Sequence, residues 1–351
     1  MKILIAGNMG YIGPVVVNRL RASHPQATLV GLDMGFFSTC LSATEILPES
    51  RVHTQHFGDV RKVEPSVLAG IDAVVYLAAI SNDPMGATFE NVTYDVNHKA
   101  AINIARMAKA AGAKAFVFAS SCSVYGFAEG GSRREEDALN PLTAYAKSKV
   151  FAERDLAPLA DRNFSVTCLR FATACGMSDR LRLDLVLNDF VASALTSGKI
   201  TILSDGTPWR PLIHVKDMAR AIDWAVQREH GDDGAFLAVN VGSDQWNYQV
   251  RDLAEAVARV IPGVKVDINA NAQPDKRSYQ VSFAKFSKLA QGFLPETDLT
   301  TAVSGLRNGL ESMDFRDKEF RNSKFIRLNT LKNLKESGLI NESLEWVGLL
   351  K

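Results

Sequence analysis

The run Tyr145-Ala146-Lys147-Ser148-Lys149 sets a phenol and an ammonium four residues apart, on one face if the segment is helical. A free tyrosine, with a pKa of ~10, is a poor base at neutral pH. A lysine ammonium one turn away stabilises the phenolate and draws it toward the working range. Upstream, Ser120-Ser121-Cys122-Ser123 offers hydroxyls that can bond a substrate oxygen beside that phenol. The chemistry these residues suit is proton transfer to and from a substrate hydroxyl.

A second pattern says what the proton transfer accompanies. Gly7-Asn8-Met9-Gly10-Tyr11-Ile12-Gly13 follows an apolar run and opens a helical pattern. Glycines here permit a tight turn and let the backbone approach a pyrophosphate, which the helix N-terminus then binds. Asp33 lies 20 residues past Gly13, at the end of the next apolar run. A carboxylate there accepts both ribose hydroxyls and repels a 2′-phosphate, so NAD is expected rather than NADP. Asp59 and Val60 follow a third strand, where a side chain meets the adenine. Leu77, Ala78 and Ala79 end a fourth with residues small enough to leave room for the cofactor. With NAD bound, the positive nicotinamide also favours the Tyr145 phenolate, and the expected chemistry is hydride transfer.

The elements that position these residues are legible as a rhythm. Residues 2–6, 28–32, 52–57, 73–77, 115–119 and 165–169 are short apolar runs, nearly continuous, as strands covered on both faces are. Helical patterns at 11–22, 98–111 and 142–156 separate several of them. This alternation predicts an α/β, Rossmann-type doubly wound parallel sheet over residues 1–170. Residues 171–351 read as a smaller, interleaved substrate lobe. It has helices at 183–195, 216–227 and 250–261 and short strands at 200–203 and 212–214. Residues 236–241 are apolar enough to rejoin the main sheet, so about 212–241 are expected to pack back on the first domain. The tail from Asp314 reads as charged and helical, with Arg316-Asp317-Lys318-Glu319 a solvated stretch.

Composition narrows the function. Forty basic residues face 39 acidic ones, a net charge of +1, without the basic surplus of nucleic-acid or anionic-membrane binders. The four cysteines form no Cys-x-x-Cys pair and no zinc spacing, so free thiols and no metal are expected. The N-terminal apolar run is too short for a signal sequence, and no run spans a bilayer. A cytoplasmic protein is the expectation.

In order and spacing these motifs resemble those of the extended short-chain dehydrogenase/reductases, specifically the NAD-dependent epimerase/dehydratase family acting on nucleotide sugars. The resemblance covers roughly residues 1–290. It implies that Tyr145 is the catalytic base, Lys149 its partner, Ser121 the catalytic hydroxyl and Asn97 a support of the proton relay. It also implies a homodimer paired through the tyrosine helix. Arg210, in Trp209-Arg210-Pro211-Leu212-Ile213-His214, matches the arginine that grips the nucleotide diphosphate, a role suited to bidentate guanidinium contacts. His214 and Asp217 more simply hold the fold. Arg277 matches a later phosphate contact, with a plain solvated charge cluster equally open.

The departures from the family are informative. Its 4,6-dehydratases carry Asp and Glu directly after the catalytic hydroxyl, where this chain has Cys122 and Ser123. That argues against dehydration, and against the decarboxylating branch, which resembles the dehydratases in keeping an acid there. Ser123 remains as a substrate-side hydroxyl. The family's Arg-x-x-Asn is here Arg170-Phe171-Ala172-Thr173, so Thr173 is a shorter substitute and Asn188 a replacement from further on. Ser81, in the loop after the fourth strand, either sets substrate choice or belongs to an ordinary surface loop. The leading expectation is a nucleotide-sugar C4 epimerase working through a transient ketone. A net dehydrogenase or ketoreductase is one rival, and a non-catalytic NAD-sensing regulator is another.

Overall fold

The computed structural model describes residues 1–126, 130–229, 233–269, 272 and 278–348. In chain order the first half comprises β1 (Lys2–Ala6), α1 (Gly13–Ser23), β2 (Thr28–Asp33), β3 (Thr54–Phe57), β4 (Ala73–Tyr76), α2 (Asp83–Thr88), α3 (Glu90–Tyr94), α4 (Ala101–Ala110), β5 (Ala115–Ser121), α5 (Ala144–Leu156) and β6 (Ser165–Phe171). The second half adds β7 (Thr173–Cys175), α6 (Val186–Ser197), β8 (Lys199–Ile202), β9 (Trp209–His214), α7 (Val215–Val226), β10 (Phe236–Val241), β11 (Asn247–Gln249), α8 (Val250–Val260), β12 (Lys265–Ile268), α9 (Ala284–Leu289), α10 (Leu299–Ser312) and α11 (Arg327–Glu336).

Seven parallel strands form the main sheet in the order β10-β6-β5-β4-β1-β2-β3. Alternate residues of β1 enter different cores: Ile3 and Ile5 on one face, Leu4 and Ala6 on the other. Burial on both faces is why the strands read as continuous apolar runs. The strand order reverses between β1 and β4, which opens a crevice beyond the carboxyl ends of the strands. The glycine turn lies at that point. A third core, around Leu187, Val191, Leu253 and Leu306, belongs to the second half.

The departures from the sequence reading have local causes. α1 begins at Gly13, with Pro14 in its first turn, because Gly10 to Ile12 stay in the phosphate-binding turn. The helix expected from 98 starts at Ala101, since Asp95–Ala100 are wound as a π segment. Among the described residues of the tail only Arg327–Glu336 and a single turn at Phe320–Asn322 are helical. Gly338 (φ 68) follows α11, and the chain then runs on as a loop. Arg316 to Glu319 are exposed, as expected. No helix among the described residues is long and apolar enough to cross a membrane.

His214 and Asp217 hold backbone. His214 accepts the Lys216 N–H at 3.2 Å, and burial pulls its pKa down to about 4. Asp217 accepts the N–H groups of Glu296 and Thr297 at 3.0 and 3.3 Å.

A buried ion pair seats α5 on the sheet. Arg170 of β6 donates to Glu153 of α5 at 2.7 and 3.1 Å, and each residue is only 5% exposed. Ser120 of β5 donates to the same carboxylate. Arg170 also donates to the Tyr125 hydroxyl at 3.0 Å, which donates to Asn240 of β10 at 2.8 Å. Removing one member of such a pair strands the other in the core. Glu153→Gln is expected to lower stability by about 3 kcal/mol. The loss should appear as a lower denaturant midpoint, and it should shrink when Arg170→Met is combined with it.

Candidate active site

The turn after β1 is built for close approach. Gly7 has a φ of 89°, and a Cβ there would lie 2.5 Å from the Ala78 nitrogen. At Gly13 a Cβ would lie 2.1 Å from the Asn8 oxygen. Gly10 serves differently: its nearest obstacle is the Gly7 oxygen at 3.2 Å, and it lines the cleft, leaving the backbone bare toward a ligand. Tyr11 donates its hydroxyl to the Gly176 carbonyl at 2.5 Å and so ties the turn to the second half of the chain.

Asp33 ends β2 and lines the same cleft. Its carboxylate accepts the N–H groups of Met9 and Gly35 at 3.0 and 2.8 Å, which fix its orientation. Burial raises its pKa, since those two bonds only partly offset desolvation. Asp59 accepts the Arg61 N–H at 2.8 Å and pairs with the Arg61 guanidinium at 2.6 Å. Ile12, Val60, Leu77, Ala78 and Ala79 line the remaining wall. The cleft measures about 1370 Å³. That exceeds the few hundred to ~1,000 Å³ typical of a single small ligand, so it accommodates a dinucleotide and a second molecule.

Tyr145 stands at the head of α5, whose N-cap Thr143 accepts the Ala146 N–H at 3.1 Å. The Ser121 hydroxyl, at the end of β5, shares a side-chain hydrogen bond with the Tyr145 phenol. The two residues therefore meet as expected. Lys149 departs from expectation. Its ammonium donates to the Ala119 carbonyl at 2.7 Å and lies 5.6 Å from the centre of the Tyr145 ring. Burial pulls it down to about 7, and burial pushes Tyr145 up to about 12 despite Ser121. Within the protein alone, desolvation of the phenol outweighs everything that favours the phenolate.

Asn97 is set inside the fold. It is fully buried in the π segment, where it accepts the Ile80 N–H at 2.8 Å and donates to the Ile80 carbonyl and Ser148 hydroxyl. It is not part of the cleft lining, and its hydrogen bonds position the loop after β4 against α5.

On the substrate side Ser81, Ser123, Thr173 and Arg210 all line the cleft. The Ser123 hydroxyl is buried with no hydrogen-bond partner among the described residues. Asn188 does not reach the cleft. It is fully buried, accepting the Gly176 N–H at 3.0 Å and donating to the Tyr11 hydroxyl at 3.0 Å and the Arg182 carbonyl at 2.8 Å. Its amide is saturated holding Tyr11. Arg277 lies outside the described residues.

Two features escaped the sequence reading. Arg182 forms a bidentate pair with Asp184 at 2.9 and 3.0 Å and donates to Ser81 at 3.1 Å, while Asn82 donates to Asp184 at 2.7 Å. Asp83 accepts the Thr143 hydroxyl at 2.7 Å. The loop 81–83 is thus bolted to the second half of the chain and to α5, and is no ordinary surface loop. Tyr279, buried but lining the cleft, is the second. Its place directly after the Arg277 segment was the available signal.

A tyrosine helix braced beside the fifth strand of a dinucleotide sheet is the architecture of the extended short-chain dehydrogenase/reductases. Within that class, the model of the NAD dependent epimerase/dehydratase family matches residues 3–242, more than half of the 351, and the chain belongs to that family. The UDP-glucose 4-epimerase of Neisseria meningitidis serogroup C is 28% identical over 272 residues, 69% of this chain and 77% of its own length. The dTDP-glucose 4,6-dehydratase of Streptomyces griseus is 26% identical over 311 residues, 86% and 92% of the two chains. Among solved structures, MoeE5 in complex with UDP-glucose and NAD matches with a TM-score of 0.75 at 25% identity, over 89% of this chain and 99% of that one. The protein thus belongs to a family of NAD-dependent enzymes.

Asp33→Ala should erode the preference for NAD over NADP by roughly tenfold, about 1.4 kcal/mol. The ratio of dissociation constants for the two cofactors measures it, and an unchanged ratio refutes the role given to Asp33.

Proposed function

We propose that the protein epimerises a nucleotide sugar at C4 through a transient ketone, with no net oxidation. The observation that carries this reading is the pairing of Ser121 with Tyr145 beside a position that holds no acid. Cys122 is 1% exposed, donates its thiol to the Arg170 carbonyl at 3.0 Å and has its pKa pushed up by burial. It points away from the cleft and offers neither proton nor base. Eliminating water requires a second acid and base at the sugar, and this position supplies none.

NAD, when bound, would supply a reversible hydride acceptor and a positive charge that favours the phenolate. Tyr145, as phenolate, takes the proton from the sugar hydroxyl and later restores it. Ser121 holds that oxygen in line with the phenol. Gly7, Gly10, Gly13 and Asp33 are the residues that would hold the cofactor, and Arg210 the diphosphate of the nucleotide sugar. The loop 81–83, fixed by Arg182 and Asp184, forms the wall facing the sugar. The intact Tyr145 and Lys149 weigh against a non-catalytic regulator.

The test is incubation of purified protein with UDP-glucose or UDP-galactose without added NAD, followed by chromatography of the sugars. Interconversion of the two is the expected result. Accumulation of reduced cofactor with an oxidised sugar would replace epimerisation by net dehydrogenation. Tyr145→Phe should lower turnover at least about a hundredfold, the scale of general acid–base catalysis, while NAD binding is retained.

A further inference from the structure

The C-terminal segment lies beyond the residues matched by the family model, yet it returns to the cofactor side of the cleft. After α11 the chain forms a small closed loop: Ile340 bridges Trp346, and the Asn341 N–H donates to the Glu345 carbonyl at 2.9 Å. The loop is fastened to the ends of β2 and β3. The Trp346 indole N–H donates to the Met34 carbonyl at 2.8 Å, and its ring lies 5.4 Å from that of Phe36. Arg61 donates to the Ser343 carbonyl at 2.7 Å, and Lys62 pairs with Glu345 at 2.7 Å. These anchors straddle Asp33 and Asp59, where the adenosine half of a dinucleotide belongs.

Five residues of the segment line the cleft, Arg321, Ile326, Arg327, Leu331 and Leu344, and two of them bear on the cofactor. Leu344 lines it from the loop, at a φ of 52° that is unusual for leucine, and packs with Ile80, Met85 and Val92. Arg327 lines it from the start of α11 and is 1% exposed. Its guanidinium lies over Phe37 at 4.3 Å and donates to the Arg180 carbonyl at 2.9 Å. No carboxylate among the described residues pairs with it, and its Nη1 has no hydrogen-bond partner. A buried cation with an unmatched donor, placed on an anion-binding cleft, calls for an anion.

We propose that residues 320–346 complete the cofactor site. Leu344 closes the adenosine end, Arg327 binds a diphosphate oxygen of NAD, and the cofactor leaves only when the loop detaches. The inference rests on the NAD dependence of the family and not on the epimerase reading, so either can fail alone.

Three measurements test it. Trp346→Ala removes the main anchor and should raise the rate of NAD release from purified protein at least tenfold, with little change in the melting temperature of the NAD-free protein. Arg327→Met should weaken binding of NAD and ADP-ribose at least tenfold, leave UDP binding unchanged, and recover partly in Arg327→Lys. Loss of UDP binding alone would overturn the assignment and give Arg327 to the nucleotide sugar. In the wild type, NAD should slow hydrogen exchange at the amides of residues 340–347. Unchanged exchange there, or unchanged NAD release and affinity in both variants, overturns the proposal.

Discussion

The pairing of Glu153 with Arg170 is the contact on which the rest of the site depends. It joins α5 to β6 in the core, and Ser120 adds β5 to the same carboxylate. The three elements carry, in turn, the phenol, the strand that leads on to Thr173, and the Ser121 hydroxyl. Two charges this deeply buried stabilise little compared with well-packed apolar residues. What they provide is directional: a bidentate guanidinium fixes rotation and slide of the helix more sharply than dispersion contacts do. Tyr125 and Asn240 extend that direction to β10, so three parallel strands and α5 share one polar network.

The cleft itself is organised by matched charges that stay put. Arg61 is matched by Asp59 at one end and Arg182 by Asp184 nearer Tyr145. Neither guanidinium is free to follow a ligand, so each works as masonry. The Arg182 pair holds Ser81 and Asn82 at a set distance from the second half of the chain, which keeps the floor near the phenol from closing. In such a site, groups preset by their neighbours cost little to reorganise when a reaction develops charge.

The sequence disclosed what obeys a period or a local turn. Strands buried on both faces announce themselves as apolar runs, and Gly7, Gly10 and Gly13 mark backbone that must stay bare. Tyr145 and Ser121 were legible because an i, i+4 pair and a strand end have predictable places. The behaviour of Lys149 was not, since its partner is the Ala119 carbonyl, an atom every residue possesses. Asn188 was misplaced because its distance along the chain from Thr173 said nothing about facing Tyr11 instead of the cleft. Arg182 and Asp184 belong to no motif, so nothing in their spacing marked them. The tail hid its purpose because Arg327, Leu331 and Leu344 make their contacts one at a time, without a repeating face.

The π segment Asp95–Ala100 has a consequence best put in terms of gearing. One widened turn takes up one extra residue and sets every later residue of the helix back by about 100° relative to a regular winding. Ala101, Ala105 and Ala108 reach the core under the sheet in that set-back phase. Rewinding the segment as a regular helix at the same length would turn those three alanines off the core, whereas deleting a single residue there would remove the widened turn and leave both halves on their present faces. The segment is thus a phase lock between two halves of one rod: the upstream half meshes with the loop after β4, the downstream half with the sheet, and neither can be retuned without the other.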